Sequence, residues 1–243
     1  PVDPVLLCNA AETLSQSKPL PRAAAELAAA AACFGAAGCK LAVVELPDAG
    51  LAAALPKMPV CAVTSIGPDG VSRSVERSAA LAAGVMRKGS ICVTAPEQEK
   101  AVLSELIVAA GKVDCELVVP DPEDITFLEA EKFASKVDYG GYTVPLAFLG
   151  RHAAGSAAVA VETALALCRK DIFISDEAIL EGLAAVENRS SIRVLSQRPL
   201  IILDACRTPQ QAMALLRVLN MAKVRHLSAV IGLSEEEGAE AFF

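Results

Sequence analysis

The sequence predicts an α/β fold made of two units, each with a mainly parallel sheet. Three observations carry this. Short apolar runs alternate with longer segments of helical period along most of the chain, the pattern of strands joined by helical crossovers. The runs lack the in-out polar alternation of a half-solvated strand, as expected where helices cover both faces. The apolar share, 53% of 243 residues with alanine the main surplus, is ample for a real core.

In chain order, an alanine-rich helix spans Pro21 to Ala37 and is closed by Gly38. The run KLAVVEL (40–46) reads as a strand ending at Glu45, PVCAVTSIG (59–67) as a second, and SVERSAALAAGV (74–85) as the helix after it. SICVTA (90–95) is a third strand, EQEKAVLSELIVAAG (97–111) a periodic helix, and CELVV (115–119) a fourth strand. The texture then changes: PDPEDI is a Pro/Asp linker, and KVDYGGYTVPLAFLG gives short extended segments around a Gly-Gly turn. Beyond it come a helix over 152–169 and another over 175–186, with Ser175 as cap and Asp176 and Glu177 in its first turn. A strand over 199–204, a helix over 209–221 opened by Pro209, and a strand over 227–232 close the series. The domain boundary is placed between Thr143 and Gly150, giving domains 1–146 and 147–243.

Composition excludes several classes of function. A net charge of −7, 4% aromatics and no Trp leave neither the basic footprint nor the stacking surface that nucleic acid requires. The longest apolar candidate, Ala23 to Ala37, is short and carries Glu26, so it reads as a packed helix and not a membrane span. The eight cysteines form no C-x-x-C pair and sit mostly in apolar runs, as small buried hydrophobes of a reducing compartment. No secretory leader is read, and the expected location is the cytoplasm. Because the chain opens on Pro1 and not Met, upstream sequence is expected to be missing.

The motifs are sparse. No G-x-x-x-x-G-K-[ST] loop, no G-x-G-x-x-G after a strand and no H-E-x-x-H is present. The stretch LIILDACRTP (200–209) places Asp204, Arg207 and Thr208 at a strand's carboxyl end, where ligands bind in open α/β sheets. Whether they do chemistry or form a turn is open on the residues alone.

Five segments extend the reading: LAVVELPDAG, AVTSIGPDG, SAALAAGVMRKGSICVTAP, LAFLGRHAAGSAAVAVETALAL and ISDEAILEGLAAVENRSSIRVLSQRPLIILDACRTP. In order and spacing, over roughly residues 22 to 243, they resemble the folylpolyglutamate synthase/dihydrofolate synthase family of the Mur ligase superfamily. The corresponding family patterns include I-T-S-I-G-x-D-H, A-x-E-K-A-G-I-I-K-x-G and L-D-G-A-H-N-P. The resemblance implies a truncated central domain followed by a C-terminal domain. It also implies descent from an ATP-dependent ligase that adds glutamate to folates through an acyl phosphate, with ATP and magnesium as cofactors.

The same resemblance marks losses. Glu45 matches the family's metal-binding Glu, and its alternative reading is a solvated strand end. Asp69 matches the Asp of the D-H pair, but Gly70 replaces the metal-binding His. The E-K pair, whose Lys braces the metals, falls on Leu81 and Ala82. His152 is retained, though Ala153 and Ser156 replace the Gln and Asn that follow it. The phosphate-reaching Arg falls on Ser191, flanked by Arg189 and Arg193. In LDACRTP the Gly, His and Asn have become Ala205, Arg207 and Thr208, and Thr208 before Pro209 serves equally as a helix cap.

The expectation is therefore an inherited ligase scaffold with no catalytic residues. Glu45 and Asp69 are the metal candidates, and Asp204, Arg207 and His152 the nucleotide-site candidates. The alternative is a fragment of an active synthase whose ATP-binding part lies upstream. Expected partners are a nucleotide or folate-like small molecule and a protein partner or second copy, with no nucleic acid and no membrane.

Overall fold

The computed structural model describes residues 5, 9, 21–46, 51–52, 55, 58–67, 74–129, 135–146, 150–187, 191–206 and 209–232. The chain separates into two compact units, Pro1–Lys57 and Met58–Phe243.

In the first unit, α1 (Arg22–Ala36) opens after Pro21 without a side-chain cap, and the exposed Arg22–Glu26 pair at 2.7 Å spans one turn. It ends in a Schellman motif. Gly38, at φ +67°, donates its N–H to the Gly35 carbonyl, and Cys39 donates to Phe34. A residue without Cβ is needed at such a left-handed position. The strand expected over 40–46 is corrected here: those residues belong to no strand or helix, and Val43 is 89% exposed. A strand exists only through its ladder, and no described residue offers one.

The second unit begins with a parallel sheet, β1 (Val60–Val63), β2 (Ile91–Thr94) and β3 (Glu116–Val118), in the order β1-β2-β3. The crossovers are α2 (Val75–Ala82), continued by a short 3-10 turn, and α3 (Lys100–Val113). Ser74 caps α2, its side chain accepting from the Arg77 N–H at 3.3 Å. Right-handed crossovers put both helices on one face, where α2 and α3 pack together. Val102, Leu106 and Ala110 form the buried stripe of α3 at four-residue spacing.

A three-stranded antiparallel sheet follows: β4 (Ile125–Glu129), β5 (Ser135–Tyr139) and β6 (Tyr142–Leu146). Gly140 and Gly141, at φ +58° and +89°, make the two-residue turn between β5 and β6, the geometry that a tight hairpin demands. β4 begins at Ile125, the last residue of the expected Pro/Asp linker, and runs on over residues for which no element is predicted.

The helix α4 (Arg151–Cys168) lies between the two sheets. Val159 and Ala166 pack with Ile91 and Val93 of the parallel sheet. Ala154, Ala157, Ala158 and Val161 pack with Val137, Tyr139 and Val144 of the antiparallel one. Helical spacing of 154, 157, 158 and 161 explains the shared face, and alanine permits the close approach on that side. Gly155 is similarly tight, because a Cβ there would stand 3.3 Å from Pro96 Cγ.

α5 (Asp176–Ala184) is capped by Ser175, which accepts from the Ala178 N–H at 3.2 Å as its sequence predicts. It leads to β7 (Arg193–Gln197), β8 (Leu200–Leu203) and α6 (Pro209–Met221). The α/β class holds, but β7 and β8 pair antiparallel, and no parallel pair occurs among the described residues after 147. Two residues join these strands, and only an antiparallel pair closes over so short a loop. Residues 227–232, expected as a parallel strand, form none; Leu227, Val230 and Ile231 are exposed. Of the expected domain boundary, β6 ends and α4 begins on either side of it.

Candidate functional site

The carboxyl end of β8 is the best-built polar site. Asp204 leaves the strand and bends back over its own turn. Its Oδ1 accepts from the Cys206 N–H at 2.7 Å, and its Oδ2 from the Ile192 N–H at 2.6 Å. Ile192 is buried and left-handed, at φ +49°. The carboxylate therefore ties the entry to β7 to the exit from β8. These are charge-assisted bonds from backbone donors, the role an Asp performs in an Asx turn.

Three neighbours complete the site. Burial and the Asp204 carboxylate together push the Cys206 thiol up to about 11, keeping it protonated. Gly150, at φ +98°, precedes α4; a Cβ there would lie 3.0 Å from Val218 Cγ2 of α6 and 3.1 Å from His152 Nδ1. The His152 ring thus folds back over the glycine beside α6. Desolvation lowers the His152 pKa, Asp204 pulls it upward, and Arg217 of α6 pushes it down. The fold brings His152 within electrostatic reach of Asp204. Cys206, Ile192 and Arg217 were not anticipated, because nothing in their local pattern marks them.

The carboxyl ends of β1 and β2 close in a comparable way around Gln98, another residue that motif scanning misses. Its Oε1 accepts from the Ile66 N–H at 3.0 Å, while its Nε2 donates to the Thr64 carbonyl at 2.9 Å and to Thr94 Oγ1 at 3.0 Å. A neutral amide suits an edge presenting both donors and acceptors. Beneath it, Cys61 and Cys92 face each other in register on β1 and β2, and Cys115 Sγ lies 3.2 Å from Ser90 Oγ. All three thiols are buried and unbridged.

Glu45 lies in the first unit. It is exposed, and it lines an apolar groove of about 260 Å³ with Glu26, Leu27, Phe34 and Val43. Asp69, Gly70, Arg189, Arg207 and Thr208 lie outside the described residues. Among the described residues, no group of three or more His, Cys, Asp or Glu stands close enough to hold a metal. Magnesium demands several oxygen ligands in near-octahedral order. Of the two metal candidates, Glu45 shares its groove with only one other carboxylate, Glu26, and Asp69 lies outside the described residues. No helix among the described residues is long and apolar enough to cross a membrane.

No protein-family model matches the chain, and no curated protein does. Solved structures do. A folylpolyglutamate synthetase from Lactobacillus casei matches with TM-score 0.76 and 18% identity, over 93% of this chain and 60% of that one. A complex of FPGS with AMPPCP and folate matches with TM-score 0.80 and 17% identity, over 93% and 60%. Mycobacterium tuberculosis folylpolyglutamate synthase complexed with ADP matches with TM-score 0.72 and 21% identity, over 90% and 54%. At these identities the likeness is one of fold, and the chain spans less than two thirds of the length of each structure.

Proposed function

We propose that the chain belongs to the folylpolyglutamate synthase/dihydrofolate synthase family and is a ligase scaffold that no longer carries out the ligation. It retains a cleft for a nucleotide or folate-like molecule and acts by binding or partnering, in the cytoplasm. On this reading residues 1–146 correspond to a central domain and 147–243 to a C-terminal domain. His152, Asp204 and Arg207 border the nucleotide side, and Glu45 and Asp69 mark the inherited metal positions.

The observation that carries this is the use made of Asp204. At the strand end where a ligase presents polar groups to its nucleotide, both oxygens of this carboxylate serve Ile192 and Cys206. The Gln98 amide closes the carboxyl ends of β1 and β2 in the same manner. Phosphoryl transfer consists almost entirely of positioning and charge neutralisation, and backbone turns supply neither. Polar positions changed while the buried spacing of α3 and α4 persisted, which is what relaxed catalytic demand leaves behind.

A second reading is favoured by length. The chain spans about three fifths of the solved synthase structures it resembles, so an active synthase with its ATP-binding part elsewhere in the polypeptide is the alternative. Calorimetric titration with Mg-ATP, and separately with a reduced folate, tests the main reading. Saturable heat with at least one ligand and no turnover is expected; no heat with either ligand, or turnover of ATP, refutes it.

A further inference from the structure

The register of the parallel sheet sets two thiols side by side. Cys61 of β1 is the in-register partner of Cys92 of β2. Val60 and Ile91 pack on the side of α4, so by strand alternation both cysteines project from the opposite face of the sheet. Adjacent strands lie about 4.8 Å apart, inside the range of about 4.4–6.8 Å over which the Cα atoms of two cysteines can be bridged. Cys115 shares that face but not that reach. Its neighbour on β2 is Ser90, whose Oγ lies 3.2 Å from Cys115 Sγ, while Cys92 stands in register with Leu117. That leaves Cys115 about 8 Å from Cys92 on the diagonal and about 10 Å from Cys61 across two strands, both beyond bridging distance.

The pair is asymmetric. Cys61 is 8% exposed and Cys92 wholly buried, so a small reagent reaches Cys61 first. The Cys92 thiol, hydrogen bonding to it, holds Cys61 below the ordinary thiol range; burial opposes this, and the Arg87 guanidinium adds a smaller downward pull. Cys92 is pushed up, first by its bond to Cys61 and then by burial, and keeps its proton. One thiol is thus set to react as a thiolate and its neighbour to follow.

We propose that Cys61 and Cys92 form a dithiol that hydrogen peroxide closes to a disulfide across β1 and β2. The Cys61 thiolate attacks one peroxide oxygen. The O–O bond breaks, the sulfur becomes a sulfenic acid, and the departing hydroxide takes up the proton that Cys61 released, giving water. The Cys92 sulfur then attacks Cys61 Sγ, the S–O bond breaks, and the hydroxyl leaves with the Cys92 proton as a second water. Two thiols lose two electrons, and one peroxide is reduced to two waters. The bond ties together the strands whose carboxyl ends Gln98 closes. It needs neither nucleotide nor folate, so it stands apart from the ligand reading.

The reduced full chain, freed of reductant and treated with a few equivalents of hydrogen peroxide, is expected to lose two of its eight thiols, counted by labelling after denaturation. Peptide mapping without reductant should find the Cys61 and Cys92 peptides joined, and dithiothreitol should restore the full count. Cys92→Ala removes the second thiol, so dimedone should then trap Cys61 as its sulfenic acid. The mapping of the unaltered chain decides the question even where that variant does not fold. Survival of all eight thiols overturns the proposal. So does a disulfide to any other cysteine, or a loss of thiols that dithiothreitol does not reverse.

Discussion

Asp204 takes its charge into two backbone bonds. Hydrogen bonds to charged groups contribute about 1.5–3 kcal/mol each when desolvated, and this carboxylate is half-buried. Asp204→Ala is therefore expected to destabilise the chain by about 1–3 kcal/mol, measurable by denaturant unfolding. Asp204→Asn gives a chemical readout. The Cys206 thiol, held near 11 first by burial and then by this carboxylate, should titrate lower and alkylate faster at mildly alkaline pH; an unchanged mapped labelling rate counts against the contact. His152 follows a different sign. Its folded pKa lies below the ordinary 6.5 because desolvation disfavours the imidazolium. The unfolded chain then binds the proton more readily, so stability is complete above pH 6.5 and falls as pH drops through the folded value. NMR titration should place the His152 midpoint below 6.5 and lower still in Asp204→Asn, since the carboxylate is what pulls it upward. A midpoint that rises in the variant contradicts the arrangement.

α4 is the element on which both sheets depend. Ala158 is wholly buried where it meets Tyr139, Val161 and Ile179. Ala158→Leu is expected to cost about 1–3 kcal/mol by overpacking, read as a lower Tm, whereas a solvent-facing partner such as Ser156→Ala should leave Tm nearly unchanged. The helices were legible because their signals are local. Ser74 and Ser175 cap where a Ser before an acidic first turn should cap, and Gly38 closes α1. Strands were legible only where a partner exists. KLAVVEL and the run over 227–232 carry the composition of buried strands and pair with nothing described, because apolar content states a preference for burial and not which neighbour supplies it. β7 was missed for the converse reason: RVLSQ alternates weakly, and its pairing is imposed by the short loop to β8. At the site, Asp204 and His152 are singled out by resemblance, and the fold sets them within electrostatic reach of each other. Gln98 and Ile192 were not, since their roles arise from contacts 32 to 34 and 12 residues away in sequence.

At the scale of the whole chain, the fold is that of the solved folylpolyglutamate synthase structures, and the scaffold reading proposes that the residues holding a nucleotide's charge have changed. The seven cysteines among the described residues are all free. Thiol labelling under denaturing, non-reducing conditions is expected to count all eight, and a count of six or fewer contradicts that. The reaction itself is the larger test. Its chemistry needs magnesium in near-octahedral oxygen coordination and cations over the transferring phosphoryl group. In this sequence no G-x-x-x-x-G-K-[ST] loop occurs, and on the proposed reading Gly70 falls at the metal-binding His position and Leu81 and Ala82 at the Glu-Lys pair. Loss of a single preorganised donor in an active site costs about 3 kcal/mol of transition-state stabilisation, and these groups act as a set. The 243-residue chain is therefore expected neither to hydrolyse ATP nor to extend a folate with glutamate above a no-protein control. Gly70→His alone should not rescue it, because one imidazole does not rebuild a coordination sphere. ATP turnover that depends on both folate and glutamate, and that Glu45→Ala abolishes, would establish a working ligase and overturn the scaffold reading.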